Sequence, residues 1–370
     1  MIYLDSAATS LLKPPEVSKA MLSALRECAS PGRGAHAPAM RAADIVYSCR
    51  EEAADFFGVP GPENVVHTMN ATHGLNIAVH SLVRPGSRVL VSGYEHNAVV
   101  RPLYAVGANM QIAQAPLFDA DALLEAFREG IGRADAVVCT HVSNVFGFRL
   151  PIESIAALCR EKDVPLIVDA AQSAGQYDLD MSALGAAFIA MPGHKGLMGP
   201  QGTGLLLCRD GASPLLYGGT GSLSASPDMP EDLPDRLEAG TQNVCGIAGL
   251  RAALRCIQRT GLRSVRGREE ALSGRLLQGL LSLPGLKVFV PPRAHRSGVI
   301  SVLPLEMTCE ELASRLGAAG VAVRAGLQCA PQAHMTAGTL DTGTVRFSVS
   351  PLNTPAEIEK ALEITEEIIK

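Results

Sequence analysis

The sequence predicts an α/β protein with a mostly parallel sheet and a smaller C-terminal α+β region. Three observations point there. Between residues 60 and 210, short apolar runs alternate with helix-length segments, the rhythm of βαβ units. Several of these runs are apolar throughout, as strands covered by helices on both faces are. Beyond a glycine- and proline-rich stretch at 211–243, the pattern changes to a helical region followed by short strands. With 370 residues, 47% apolar and 19% charged, the chain is long enough for two domains and can bury a large core.

In chain order, the runs 65–68, 88–92, 136–141, 165–169, 186–190 and 204–208 read as strands, and 72–84, 95–107, 119–130 and 152–162 as the intervening helices. A glycine-rich turn separates 186–190 from 204–208, so these two can pair locally. The stretch 211–243 carries Gly218-Gly219-Thr220-Gly221-Ser222 and four prolines. A long irregular segment inside a compact domain is usually a site loop or an interface loop. Residues 245–283 read as helical. Pro284-Gly285 then turns the chain into strands near 287–291, 299–304, 321–325 and 345–349. The last helix is marked by Thr354 as cap, Pro355 at its first position and Glu357 completing a capping box. Ile358, Ala361, Leu362, Thr365 and Ile369 share one of its faces.

Charge and composition exclude several function classes. The net charge is −5, no basic block occurs and Trp is absent, so neither a phosphate-tracking patch nor a base-stacking surface for nucleic acid is expected. Nine cysteines are scattered without a C-x-x-C pair, which argues against a zinc or thioredoxin motif; no metal is expected. Their scatter in a chain with a good core suits buried, inert thiols in a reducing cytoplasm. The start Met1-Ile2-Tyr3-Leu4-Asp5 lacks the basic-then-apolar form of a signal peptide. No run of about 18 apolar residues predicts a membrane span.

Two short motifs carry chemistry. Gly193-His194-Lys195-Gly196 follows the strand 186–190. Burying an unpaired ammonium is costly, and one resolution is a lysine of lowered pKa that serves as a Schiff-base amine. A surface-loop lysine is the bland alternative. In Val168-Asp169-Ala170-Ala171-Gln172, an acid ends an apolar strand about one βα unit earlier. Open parallel sheets bind ligands at their strands' carboxyl ends. A carboxylate there can pair with a protonated pyridine nitrogen, keeping the ring an electron sink. Gln172 can reach a phenolic oxygen of the same cofactor. A helix N-cap is the bland reading of Asp169.

With these motifs in place, the sequence resembles the class V aminotransferase family of pyridoxal 5′-phosphate (PLP) enzymes of fold type I, and within it the cysteine desulfurase branch. The resemblance runs along essentially the whole chain. It rests on Tyr3-Leu4-Asp5-Ser6-Ala7-Ala8-Thr9, Thr140-His141-Val142-Ser143-Asn144-Val145-Phe146-Gly147, the 168–172 and 193–195 motifs with Gly199-Pro200, Glu238-Ala239-Gly240-Thr241-Gln242-Asn243, Arg324-Ala325-Gly326-Leu327-Gln328-Cys329-Ala330, Arg346-Phe347-Ser348 and Asn353-Thr354. It implies a seven-stranded, mostly parallel sheet in a large PLP-binding domain (16–245). Residues 1–15 and 246–370 then form a small domain.

The resemblance also implies roles. Lys195 holds the cofactor aldehyde as a Schiff base and moves the substrate α-proton. Asp169 pairs with the pyridine nitrogen, and Gln172 reaches the ring oxygen. His96 stacks on the ring and carries protons. Ala71 and Thr72, opening a helix after the strand 65–68, receive the phosphate with His194, in keeping with the anion affinity of helix starts. Thr241 reaches the phosphate from a second subunit, so a homodimer is implied. Arg346 binds the substrate carboxylate through its guanidinium fork, with Asn144 and His36 lining the substrate side.

Cys329 separates the reactions available to this family. By resemblance it is the nucleophile that takes sulfur from L-cysteine as a persulfide, leaving alanine and passing the sulfur to an acceptor protein or a reductant. Its short Gly- and Ala-rich segment resembles the group II desulfurases. A selenocysteine lyase acting on L-selenocysteine, and another class V transaminase or lyase in which Cys329 is incidental, remain as alternatives; so does a non-catalytic scaffold, which the set Lys195, Asp169 and Arg346 argues against. Two positions depart from the family pattern. Pro192 stands where a hydroxyl residue is common, and Gln328 precedes the cysteine where histidine is usual.

Overall fold

A computed structural model of the chain describes residues 1–32, 34–209 and 211–370. Its first part runs β1 (Ile2–Tyr3), α1 (Pro15–Glu27), α2 (Ala37–Phe57), β2 (Val65–Thr68), α3 (Ala71–Leu82), β3 (Arg88–Ser92), α4 (Asn97–Ala105), β4 (Asn109–Ala113), α5 (Ala120–Ile131), β5 (Ala136–Thr140), α6 (Ile152–Glu161), β6 (Leu166–Asp169), α7 (Met181–Leu184), β7 (Phe188–Pro192) and β8 (Gly204–Cys208). Seven strands form one sheet in the order β2-β8-β7-β6-β5-β3-β4. Only β8 runs against the rest, pairing antiparallel with both β7 and β2. The local pairing of the last two predicted strands is therefore present.

The apolar strands bury both faces. Val65, Val137, Val168 and Ile189 enter one core, while Val66, Val138, Ile167 and Ala190 enter the other. This is the two-residue alternation of a strand read through helices on both sides. Chain order reverses beside β5, because β3 leads to β4 on one side while β5, β6 and β7 follow on the other. That reversal opens a crevice at the carboxyl ends of the strands. Gly204 is required where β8 enters: a Cβ there would lie 2.8 Å from Met191 O and 2.9 Å from the Asn70 carbonyl carbon. Its absence lets the start of α3 close onto the sheet.

The second part runs α8 (Val244–Thr260), α9 (Leu262–Leu281), β9 (Leu286–Phe289), β10 (Val299–Pro304), α10 (Cys309–Ala318), β11 (Val321–Ala322), α11 (Pro331–Ala337), β12 (Val345–Ser348) and α12 (Pro355–Ile369). The continuous helical region predicted at 245–283 is two helices. Gly261, with φ of 82°, breaks it. Buried residues of α8 join the core that also takes α2, whereas α9, α10 and α12 cover an antiparallel sheet β12-β10-β9. The capping box of α12 forms as predicted, with Glu357 N–H donating to Thr354 Oγ1 at 3.3 Å and Thr354 N–H donating to the Glu357 carboxylate at 2.7 Å.

The N-terminal segment ties the two parts together. β1 pairs in parallel with β11, and Asp5 bridges to Ser348 at the end of β12. The chain then crosses to the large sheet, where Ser10 N–H donates to His194 O at 2.8 Å. Among the described residues, no helix is long and apolar enough to cross a membrane.

Candidate active site

The carboxyl ends of the strands place chemistry side by side. His96 follows β3, Asn144 follows β5, Asp169 ends β6, and His194 and Lys195 follow β7. Each stands at or just past the end of a buried strand, so the sheet fixes their spacing. Lys195 is half-buried and lies within electrostatic range of Asp169, Arg346, Cys329 and Asp5. Burial pushes its amine down to about 8, Asp169 pulling back up and Arg346 adding to the fall. At pH 7 roughly a tenth of such an amine is neutral, against roughly one in several thousand for an ordinary lysine.

Asp169 is 2% exposed, and its Oδ1 accepts the Ala171 N–H at 2.9 Å. Burial pushes its pKa up, and that N–H and the Lys195 ammonium pull it down. Glu95 sits close by. Its Oε1 accepts from Ser92 Oγ at 2.5 Å and Thr140 N–H at 2.9 Å, and burial raises it to about 8. Glu95 therefore favours its protonated form at neutral pH.

His96 caps α4, its Nδ1 accepting the Ala98 N–H at 3.0 Å. That contact puts the ring proton on Nε2. Burial, then Lys195, Arg346 and Arg101, push it down to about 4, so the ring is neutral. His194 is pushed to about 4 by burial and by Lys195 and Lys13, and its Nδ1 lies 3.1 Å from Thr9 Oγ1. Gln172 Nε2 donates to Ala7 O at 2.9 Å. Ala71 and Thr72 form the first turn of α3, whose cap Asn70 accepts from His73 N–H at 2.9 Å. Ala71 is buried and Thr72 exposed.

Arg346, in β12, is 3% exposed. Its Nη2 donates to Asp5 Oδ1 at 2.8 Å and its Nη1 to Asn144 O at 2.9 Å, while its Nε is buried with no partner among the described residues. The Asn144 side chain donates through Nδ2 to Gln328 O at 2.7 Å. Asn144 thus touches both Arg346 and the segment carrying Cys329.

Cys329 is exposed, and its carbonyl accepts the Asn97 N–H at 2.8 Å. Gln328 and Cys329 have φ of 41° and 57°, a left-handed backbone that non-glycine residues adopt only when held there. The hold is visible. Gln328 Nε2 donates to Thr344 O at 2.9 Å and Arg324 O at 3.2 Å, and its Oε1 meets the buried His334 Nε2 at 3.0 Å. The glutamine thus points into the base of the loop. Pro192 is the last residue of β7, opposite Gly204.

Two predicted residues lie apart from this cluster. His36 caps α2 at an exposed position. Thr241 is exposed beside Gly240 and lines a separate surface cavity of about 190 Å³ with Met69 and His73. Sequence reasoning assigned nothing to Asp5, Arg324 or Glu95. A signal for Asp5 was present, since an acid straight after the apolar Ile2-Tyr3-Leu4 needs a buried partner.

The chain matches the Aminotransferase class-V family over residues 2–361. It is 33% identical to a "Probable cysteine desulfurase" of Methanothermobacter thermautotrophicus, covering 99% of this chain and 94% of that protein. To a "Cysteine desulfurase" of Klebsiella pneumoniae it is 32% identical, covering 97% and 91%. Among solved structures it resembles the apo structure of a cysteine desulfurase from Thermococcus onnurineus, with a TM-score of 0.92 and 31% identity over 100% of this chain and 94% of that one. The chain belongs to the class-V aminotransferase family, whose enzymes depend on PLP. These three relatives carry the name cysteine desulfurase.

Proposed function

We propose that this chain is a PLP-dependent cysteine desulfurase that moves sulfur from L-cysteine onto Cys329 and releases L-alanine. One observation carries the reading: Asn144 joins the two sides of the site, its carbonyl accepting Arg346 Nη1 at 2.9 Å and its Nδ2 donating to Gln328 O, beside Cys329, at 2.7 Å, and both Arg346 and Cys329 lie within electrostatic range of the Lys195 amine. Amine, carboxylate receptor and thiol are the three groups that this reaction requires of the protein.

The residues fit the cofactor. A lysine amine held near 8 suits an aldehyde, a buried carboxylate suits a ring nitrogen, and a neutral imidazole suits a ring face. The first turn of α3, with Ala71 and Thr72, suits a phosphate, in this reading joined by His194, while Gln172, which lines a cavity with Lys195, reaches the ring oxygen. Bound there, the cofactor supplies electron withdrawal from the substrate Cα. Arg346 orients the carboxylate. Lys195 can take the α-proton and return it, because near pH 8 both its forms are populated. His96, with its proton on Nε2 and within electrostatic range of Lys195 and Arg346, serves as proton carrier.

The Cys329 thiolate attacks the substrate sulfur. A sulfur–sulfur bond forms as the substrate's carbon–sulfur bond breaks, and the three-carbon remainder takes up protons to leave as alanine. Three buried thiols are poor competitors. Burial pushes Cys49 and Cys159 to about 12 and Cys309 to about 11. An exposed thiol on a short, pinned loop must be met by its acceptor at the surface. A homodimer belongs to this reading, with Thr241 completing the partner's phosphate site. Exposed Tyr47, Met69 and Leu216, which line the surface cavities that Thr241 shares, support it.

The test is mass spectrometry of the holoenzyme after L-cysteine. One added sulfur atom on Cys329, absent from Cys329→Ser, is expected. No sulfur on Cys329 with alanine still formed would remove the thiol from the mechanism.

A further inference from the structure

The carboxylate receptor is already engaged by the protein's own carboxylate. Asp5 stands between two guanidiniums: its Oδ1 takes one N–H of Arg346 at 2.8 Å, and its Oδ2 takes Nε and Nη2 of Arg324 at 3.1 and 2.6 Å. Three adjoining extended segments set this arrangement. Asp5 bridges to Ser348, and Arg324 pairs with Arg346 through N–H to O contacts of 3.1 and 2.8 Å. Tyr3 and Lys195 also lie within electrostatic range of Asp5.

An incoming carboxylate cannot simply be added. A bidentate pair needs two neighbouring N–H groups on one guanidinium edge. On Arg346 one Nη faces Asn144 O, the other faces Asp5, and the buried Nε has no partner among the described residues. The edge that carries this unengaged Nε is shared with Nη2, which Asp5 holds. Two carboxylates crowded on one buried guanidinium repel each other. Asp5 has an alternative, because Arg324 already grips its second oxygen twice and is half-exposed, with 52% of its side chain accessible.

We propose that Asp5 holds the place of the substrate carboxylate on Arg346 and passes over to Arg324 when the substrate enters. Asp5 is on this account a positioning residue. The transfer reaches Cys329, because Arg324 opens the catalytic segment and its carbonyl accepts Gln328 Nε2. Occupancy of the carboxylate site is thereby felt at the root of the thiol loop. The proposal rests on the reading that Arg346 receives an amino-acid carboxylate.

Two variants of the holoenzyme should move in opposite directions. Asp5→Asn, which keeps the shape but not the charge, frees Arg346 and lowers the KM for L-cysteine about three- to tenfold, with a smaller change in kcat. Arg324→Gln leaves Asp5 committed to Arg346 and raises KM by a similar factor. In the double variant the Arg324 change has no further effect, since its target is gone. L-alanine should alter the rate at which iodoacetamide alkylates Cys329 in the unmodified enzyme but not in Asp5→Asn.

KM shifts of the same sign, additive effects in the double variant, or an alanine effect that survives Asp5→Asn would each overturn the proposal. Opposite shifts in L-alanine affinity, read from PLP absorbance, without sulfur on Cys329 would uphold it and reject the desulfurase reading. Sulfur transfer with same-sign shifts would do the reverse.

Discussion

Replacing Gln328 by Ala should release the Cys329 loop without unfolding the protein. The side chain supplies contacts at 2.9, 3.0 and 3.2 Å to Thr344 O, His334 Nε2 and Arg324 O. At about 1 kcal/mol net each these sum to about 3 kcal/mol, and stranding the buried His334 ring adds to the loss. The loss falls on a segment whose left-handed φ values already need support. Hydrogen exchange is the assay, followed at Gly326 N–H, bonded to Thr344 O, and at Ala330 N–H, bonded to Leu327 O. A local loss of about 3 kcal/mol speeds their exchange by about two orders of magnitude, while amides of β5 and β6 stay unchanged. Exchange at Gly326 and Ala330 within about threefold of the unmodified protein would refute the anchoring role.

Two predictions concern pH. The rate at which the apoprotein takes up PLP should rise about tenfold per unit up to about 8 and then level, because only the neutral Lys195 amine adds to an aldehyde; a rise continuing to pH 10 would contradict the lowered pKa. Glu95, raised to about 8 by burial, favours the folded state when protonated. That contribution is fully present below the ordinary glutamate range and is lost as pH climbs through about 8, so Glu95→Gln should flatten the fall of Tm with pH over that window; an identical slope in both proteins would dispose of it.

The parts of the fold that were legible share a local cause. Strands 65–68, 88–92 and 204–208 appear at their predicted bounds, because burial on both faces leaves an apolar run that periodicity detects. β4 escaped because it is an edge strand that is only partly buried, with Asn109 and Gln111 in it, and such an edge needs no continuous apolar run. The break at Gly261 was hidden by helical periodicity on both sides. The strand expected at 321–325 stops at Ala322, and Arg324 makes only an isolated bridge to Arg346.

The site divides in the same way. Lys195 and Asp169 announce themselves as charges beside buried strands. Asp5 signals that it needs a partner but not which one, because Arg346 lies 341 residues along the chain. Gln328 is silent. A glutamine before the cysteine reads as a lost proton carrier until its contacts with Thr344 and His334 are visible.

The crossing of the N-terminal segment has a mechanical consequence. Ser348 holds the chain at Leu4, with Ser348 N–H donating to Leu4 O at 2.7 Å, and His194 holds it again at Ser10. From Asp5 to Ser10 a fully extended chain spans at most about 17 Å. The small sheet and the large sheet are thus joined by a strap of fixed maximum length. The cleft can widen only until the strap is taut, and further opening would pull on the turn that presents Lys195.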